Sequence, residues 1–225
     1  MNDIKNIDKE IESARRYLDI AEVVFLSLDI EGNVKLINKK GCKILGYSSK
    51  EILGRNWFDN FLPKSAVNKV KDVFDKIIQG KLDPVEFYEN RVLTKSGKER
   101  LIAWHNTRLV DKGGQIVGTL SSGIDLTNQV LAEKRFKQVV ESSPNGILMV
   151  DKKGKITLVN NQVEKLFGYN NNELVGKSLE MLVPKEYKSK HKQLLKGFLS
   201  NPTNRPMGEG RDLYAIRKDG TKFPV

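Results

Sequence analysis

Stretches of alternating apolar and polar residues give way to stretches with a helical period, and this order runs through the chain twice. Ile4, Ile7, Ile11, Ala14 and Leu18 recur at spacings of three and four, which predicts a helix over residues 3–20 with an apolar seam. So short a seam suits either a coiled-coil pair or a helix packed on its own domain. Residues 23–29 and 34–38 read as strands joined by a Glu-Gly-Asn turn. Short helices follow near 39–45 and 49–53, the second opened by the capping-box order of Ser48 and Glu51. Pro63 then opens a longer helix with Val67, Val70, Phe74 and Ile77 on one face, ended by Gly80. Three strands are expected over 85–94, 99–110 and 115–124, divided by Gly-containing turns. Two strands, helices, then three strands is an α+β order: an antiparallel sheet with helices on one face.

A thinly apolar helix follows from Asp125 to about Glu141, carrying Ala132, Phe136 and Val139, and Ser142-Ser143-Pro144 breaks it. The pattern then starts again, at an offset of 122 residues. Asp29, Gly32, Asn38, Gly46-Tyr47, Glu51 and Gly54 are answered by Asp151, Gly154, Asn160, Gly168-Tyr169, Glu173 and Gly176. A period that long is about one small domain, not a solenoid repeat. The expected division is an N-terminal helix over 1–20, a first domain over 21–127, a linker helix over 128–141 and a second domain over 142–225. In the second copy Gly220 answers Gly97, so Val225 answers Ile102, and about 23 residues of the first copy's pattern have no counterpart. The expectation is a second domain lacking about its last two strands, in a fragment of a longer protein or a truncated gene.

Composition narrows the function classes. Cys42 is the one cysteine, which excludes an internal disulfide and a cysteine-based zinc site and suits a cytoplasmic compartment. No apolar run approaches the roughly 18 residues of a membrane span. The net charge of +11 is uneven: residues 1–127 carry 21 Lys and Arg against 18 Asp and Glu, and residues 128–225 carry 18 against 10. Part of the excess is Lys185, Lys188, Lys190, Lys192 and Lys196, scattered on one expected helix without interleaved aromatics. That is a solvated lysine face, and no nucleic-acid partner is expected.

Several of these segments carry a family resemblance. Asp29-x-x-Gly32 with Asn38, Leu45-Gly46-Tyr47 with Glu51-x-x-Gly54, residues 101–106, and the close at Gly123-Ile124-Asp125-Leu126-Thr127 resemble PAS sensor domains in tandem. Residues 217–225 are similar to the turn between that family's fourth- and fifth-position strands. The resemblance covers about residues 21–225. It implies two PAS domains, each a five-stranded antiparallel sheet with helices on one face, and sometimes a ligand between the layers. It also implies a sensory or regulatory role ahead of an output domain or response regulator, with dimerisation through the N-terminal and linker helices. No phosphoacceptor histidine motif, ATP lid or P-loop occurs, so this chain is not expected to be an enzyme, although a longer parent would suit a sensor histidine kinase. A ligand-free PAS scaffold for dimerisation is the alternative.

His191 is the main candidate site residue. Tyr187, Leu194 or Leu195, and Phe198 share its expected helix face, and counting from Pro63 and Pro184 it answers Val70. A neutral imidazole on an apolar face suits axial ligation of haem iron. The second copy resembles haem-binding, oxygen-sensing PAS domains, which implies His191 as proximal ligand and Arg211, in Gly208-Glu209-Gly210-Arg211, near bound oxygen or a propionate. Arg205 would stand near a propionate and Met207 would line the pocket. Gly197 and Glu209 depart from that pattern, and an ordinary packed histidine is the competing reading. Trp57 and Trp104 are candidate walls of a pocket in the first copy, or simply core. The light-sensing subfamily has a cysteine after its Gly-Arg-Asn segment. Here Gly54-Arg55-Asn56 is followed by Trp57, so cysteinyl-flavin photochemistry is not expected and non-covalent flavin is the lesser cofactor expectation beside haem.

Overall fold

A computed structural model describes residues 13–14, 16–81, 87–200 and 213–225. The chain divides into two compact units, Met1–Leu131 and Ala132–Val225. Of the expected N-terminal helix, residues 16–20 are helical (α1), while Ile4, Ile7 and Ile11 lie outside the described residues.

The first unit is one five-stranded antiparallel sheet with helices against one face. Its strands are β1 (Val24–Asp29), β2 (Val34–Ile37), β3 (Tyr88–Leu93), β4 (Glu99–Val110) and β5 (Ile116–Asp125), in the order β2-β1-β5-β4-β3. The helices are α2 (Lys39–Leu45), α3 (Ser49–Ile52), α4 (Trp57–Phe61) and α5 (Lys64–Ile78). Local chemistry sets each boundary. Asp29 closes the β1–β2 turn by accepting from the backbone N–H groups of Glu31 and Asn33. Asn38 caps α2, and Gly46 ends it in the left-handed region at φ +76°. Ser48 and Glu51 form the expected capping box, and Asn56 caps α4 through Phe58 and Asp59.

Alternation decides which side of the sheet meets the helices. Val24, Leu26, Leu28, Ile102 and Trp104 turn inward, onto Trp57, Phe58 and Phe61 of α4 and Phe74 of α5. Phe61 is fully buried, and a side chain of its size contributes about 3 kcal/mol on burial. Gly123 on β5 is there because of Trp104: a Cβ would stand 2.7 Å from the indole ring.

The second unit repeats the first through its helices. It holds β6 (Leu148–Val150), β7 (Ile156–Val159), α7 (Asn161–Phe167), α8 (Asn171–Leu174), two 3-10 turns (Leu179–Leu182 and Lys185–Tyr187), α9 (Lys188–Ser200), β8 (Tyr214–Ile216) and β9 (Lys222–Pro224). Its described residues form two two-stranded sheets, β6-β7 and β8-β9. The repeat extends to individual bonds. Asn33 bridges Asn56 as Lys155 bridges Ser178, and Glu51 pairs with Lys95 at 2.5 Å as Glu173 pairs with Lys218 at 2.5 Å. The helix expected to open at Pro184 opens with a 3-10 turn, Lys185–Tyr187, before α9 begins at Lys188.

Each unit has one buried asparagine that ties an incoming segment to the fold. Asn38 accepts from Phe25 and Gly41 and donates to the carbonyls of Leu18 and Val23. Asn160 accepts from Ile147 and Val163 and donates to the carbonyls of Val140 and Asn145. Val140 belongs to the linker helix α6 (Thr127–Ser142). All four hydrogen-bonding positions of each amide are used.

Candidate functional site

In the first unit, α4, α5 and the inward face of the sheet enclose a cavity of about 50 Å³. That is room for a few water-sized groups, well under the ~300 Å³ of an ordinary small-molecule site. Trp57 and Trp104 both line it and meet edge to face, centroids 6.0 Å apart. Phe58 and Phe74 continue the aromatic wall at 5.1 Å. Beside Trp104, on the same face of the sheet, is a neutral polar row that sequence reasoning missed: Asn90, Thr119 and Ser121, all buried, next to Asn106. Ser121 Oγ donates to Asn106 Oδ1 at 2.7 Å. The signal was present, since period two puts Asn106 on the face of Ile102 and Trp104 and puts Thr119 and Ser121 with Gly123.

The cavity is coupled to the start of the linker. Trp104 and Asn106 lie on β4. The same strand holds α6: the Leu101 N–H donates to Thr127 Oγ1 at 2.8 Å, and the Leu126 N–H donates to the Leu101 carbonyl at 2.9 Å. Asp125 accepts from the Thr127 N–H at 2.9 Å and lies 3.6 Å from Arg100. Strand β4 is thus hydrogen-bonded directly to the first turn of α6.

Cys42 lies on α2, half-buried against the first core, and burial pushes its thiol up. A raised thiol is a poor nucleophile. His105 is exposed on the other side of β4 from Trp104, with Phe87 at 6.4 Å.

In the second unit, His191 is on α9, a helix with no buried residue. Its side chain is one-third exposed, and Nδ1 lies 2.7 Å from Oε1 of Glu180. The apolar surroundings anticipated for the imidazole are thus replaced on one side by a carboxylate, supplied by the 3-10 turn Leu179–Leu182. Sequence reasoning missed Glu180, although the 122-residue offset sets it against Phe58. Arg205, Met207 and Arg211 lie outside the described residues. Among the described residues no cluster of three or more His, Cys, Asp or Glu could hold a metal by itself.

Comparison with known proteins places this architecture. The family model for the PAS fold matches residues 13–126 and 134–225. The sensor protein FixL of Bradyrhizobium diazoefficiens is 25% identical over 116 residues, 52% of this chain and 21% of that protein. The oxygen sensor protein DosP of Escherichia coli is 26% identical over 92 residues, 41% of this chain and 12% of that protein. The cell-division control histidine kinase PdhS of Brucella ovis is 22% identical over 148 residues, 65% of this chain and 14% of that protein. The matched segments thus span about a fifth or less of each of these relatives. With one matched range before residue 127 and one after residue 133, covering nearly all of its length, the chain belongs to the PAS-fold family.

Proposed function

We propose that the chain is a sensory module in which two PAS units in series pass a change in packing to an output domain. The observation that carries this reading is the connection from the cavity to the linker: β4 lines the first with Trp104 and Asn106 and holds the second through Leu101. A change in cavity contents moves Trp104, strand β4 and the start of α6 in turn. The output belongs to a longer parent, such as a sensor histidine kinase acting on a response regulator, and PdhS is one relative named as a histidine kinase. A cytoplasmic site belongs to the same reading; no described helix is long and apolar enough to cross a membrane.

For the second unit the ligand read best from the residues is haem, with His191 as axial ligand and Arg205, Met207 and Arg211 around it. The donor chemistry fits: Nδ1 is engaged by Glu180, which leaves Nε2 as the coordinating nitrogen. Bound haem iron would supply a centre for a diatomic gas, and DosP is one relative named as an oxygen sensor. Adding haemin to the purified chain should give a Soret band that His191→Ala removes or shifts. No band in the wild type, or an identical one in the variant, rules the haem reading out.

The alternative is a ligand-free scaffold that dimerises through its N-terminal and linker helices. The small first cavity favours it, as do Leu131, Phe136 and Val139, which are 45%, 52% and 68% exposed on α6. Colour and light-scattering mass separate the two: a coloured protein supports the sensor, a colourless dimer the scaffold.

A further inference from the structure

The two units put different chemistry at the same two positions. In the first, Phe58 and Val70 both line the cavity. Phe58 follows the cap residue Asn56, whose Oδ1 accepts from the Phe58 N–H at 3.1 Å. Glu180 follows Ser178, whose Oγ accepts from the Glu180 N–H at 3.3 Å. Asn56 and Ser178 also close the matching bridges to Asn33 and Lys155, so Glu180 occupies the place of Phe58. Counted from Pro63 and Pro184, His191 answers Val70. Two apolar cavity positions of one unit are therefore an acid and an imidazole in the other, and these two side chains touch at 2.7 Å.

The fold does not require this pair, since the first unit does without it. Nor is it an obvious source of stability, because removing a carboxylate from water carries a desolvation cost. Glu180 is only 19% exposed, and its second oxygen, Oε2, is buried with no hydrogen-bond partner among the described residues. The acceptor strength of the carboxylate is therefore directed at the ring. A neutral imidazole carries its proton on either nitrogen, and an acceptor fixed at Nδ1 selects the Nδ1–H tautomer. Nε2 then carries the lone pair and is made more basic.

We propose that Glu180 is a positioning residue that holds His191 in the Nδ1–H tautomer, with Nε2 presented to a metal-centred ligand. The proposal rests on the reading of His191 as an axial ligand, and its test separates the two. The tautomer is read without any ligand, by long-range proton–nitrogen NMR on the chain with labelled histidine at about pH 8, where an ordinary imidazole is neutral. There are two histidines, and His191→Ala assigns the signals. The wild type and Glu180→Gln should both show Nδ1–H, because the amide oxygen still accepts; Glu180→Ala should admit the Nε2–H form. Haemin titration of the same proteins should show binding weakened about 10- to 100-fold in Glu180→Ala, with Glu180→Gln closer to wild type. A wild-type Nε2–H tautomer overturns the proposal, as does a Glu180→Ala protein matching wild type in both tautomer and affinity. If Glu180 sets the tautomer as expected but haemin does not bind the wild type, the axial-ligand reading fails, and the ligand half of the proposal with it.

Discussion

Asn38 provides a quantitative test of how the first unit holds the helix that precedes it. The change Asn38→Ala removes four hydrogen bonds at a side chain only 3% exposed. One is the cap bond from the Gly41 N–H, at 3.1 Å, worth about 1 kcal/mol. The others involve the Phe25 N–H at 3.0 Å and the carbonyls of Leu18 and Val23 at 2.8 and 2.9 Å. Leaving those three groups unpaired costs about 1 kcal/mol each, for a total of about 4 kcal/mol. Domains of this size are stable by about 5–15 kcal/mol, so the variant should fold but with little margin. Urea unfolding followed by tryptophan emission is the assay. Both tryptophans, Trp57 and Trp104, are buried in the first unit, so their emission isolates it. With a slope of about 1.5 kcal/mol per molar urea, the midpoint should fall by about 2.7 M. A fall of under about 0.5 M would refute the reasoning, because water would then be replacing the amide at little cost. Asn160→Ala, which removes the equivalent bonds in the second unit, is the control and should leave the tryptophan midpoint in place.

Three further outcomes follow from the same structure. The Glu51 carboxyl is held down to about 2 from an ordinary 4.5, by the hydrogen bond from Lys95 and then by those from Ser48. Its contribution is therefore present above pH 4.5 and lost as pH falls toward 2. Glu51→Gln should flatten the acid side of the first unit's stability curve in that window; an unaltered curve contradicts the assignment. Gly123→Ala would set a methyl 2.7 Å from the Trp104 ring and should cost about 1–3 kcal/mol with a shift in tryptophan emission, so an unshifted spectrum at wild-type stability counts against the packing described. Charging the exposed α6 positions with Phe136→Glu and Val139→Glu should halve the light-scattering mass if that face pairs two copies, and an unchanged dimer would place the contact elsewhere.

Much of the fold was legible because its signals are local. A cap residue, a glycine at positive φ or a run of alternating residues acts on its own few neighbours. Ser48 with Glu51, Gly46, and the inward row Ile102, Trp104 and Asn106 could therefore be read from the chain directly. The cavity was half legible. Aromatic clustering pointed to Trp57 and Trp104, whereas Asn90, Thr119 and Ser121 lie on strands far apart in the chain and share a wall only once β3, β4 and β5 are laid side by side. His191 was singled out by the repeat, but its partner was not. Glu180 is 11 residues away on a separate element, and nothing at that spacing suggests a contact.

By itself, the sequence determined that one fold occurs twice in this chain, where its turns and caps fall, and that one copy carries a histidine where the other has valine. These are properties of neighbouring residues and of a comparison between two stretches of text. The tertiary structure alone decided that a neutral polar row from three strands lies beside Trp104, that β4 fastens the linker helix, and that His191 meets a carboxylate. Each of those depends on surfaces brought together by burial and by strand pairing, and such contacts leave no periodic trace along the chain.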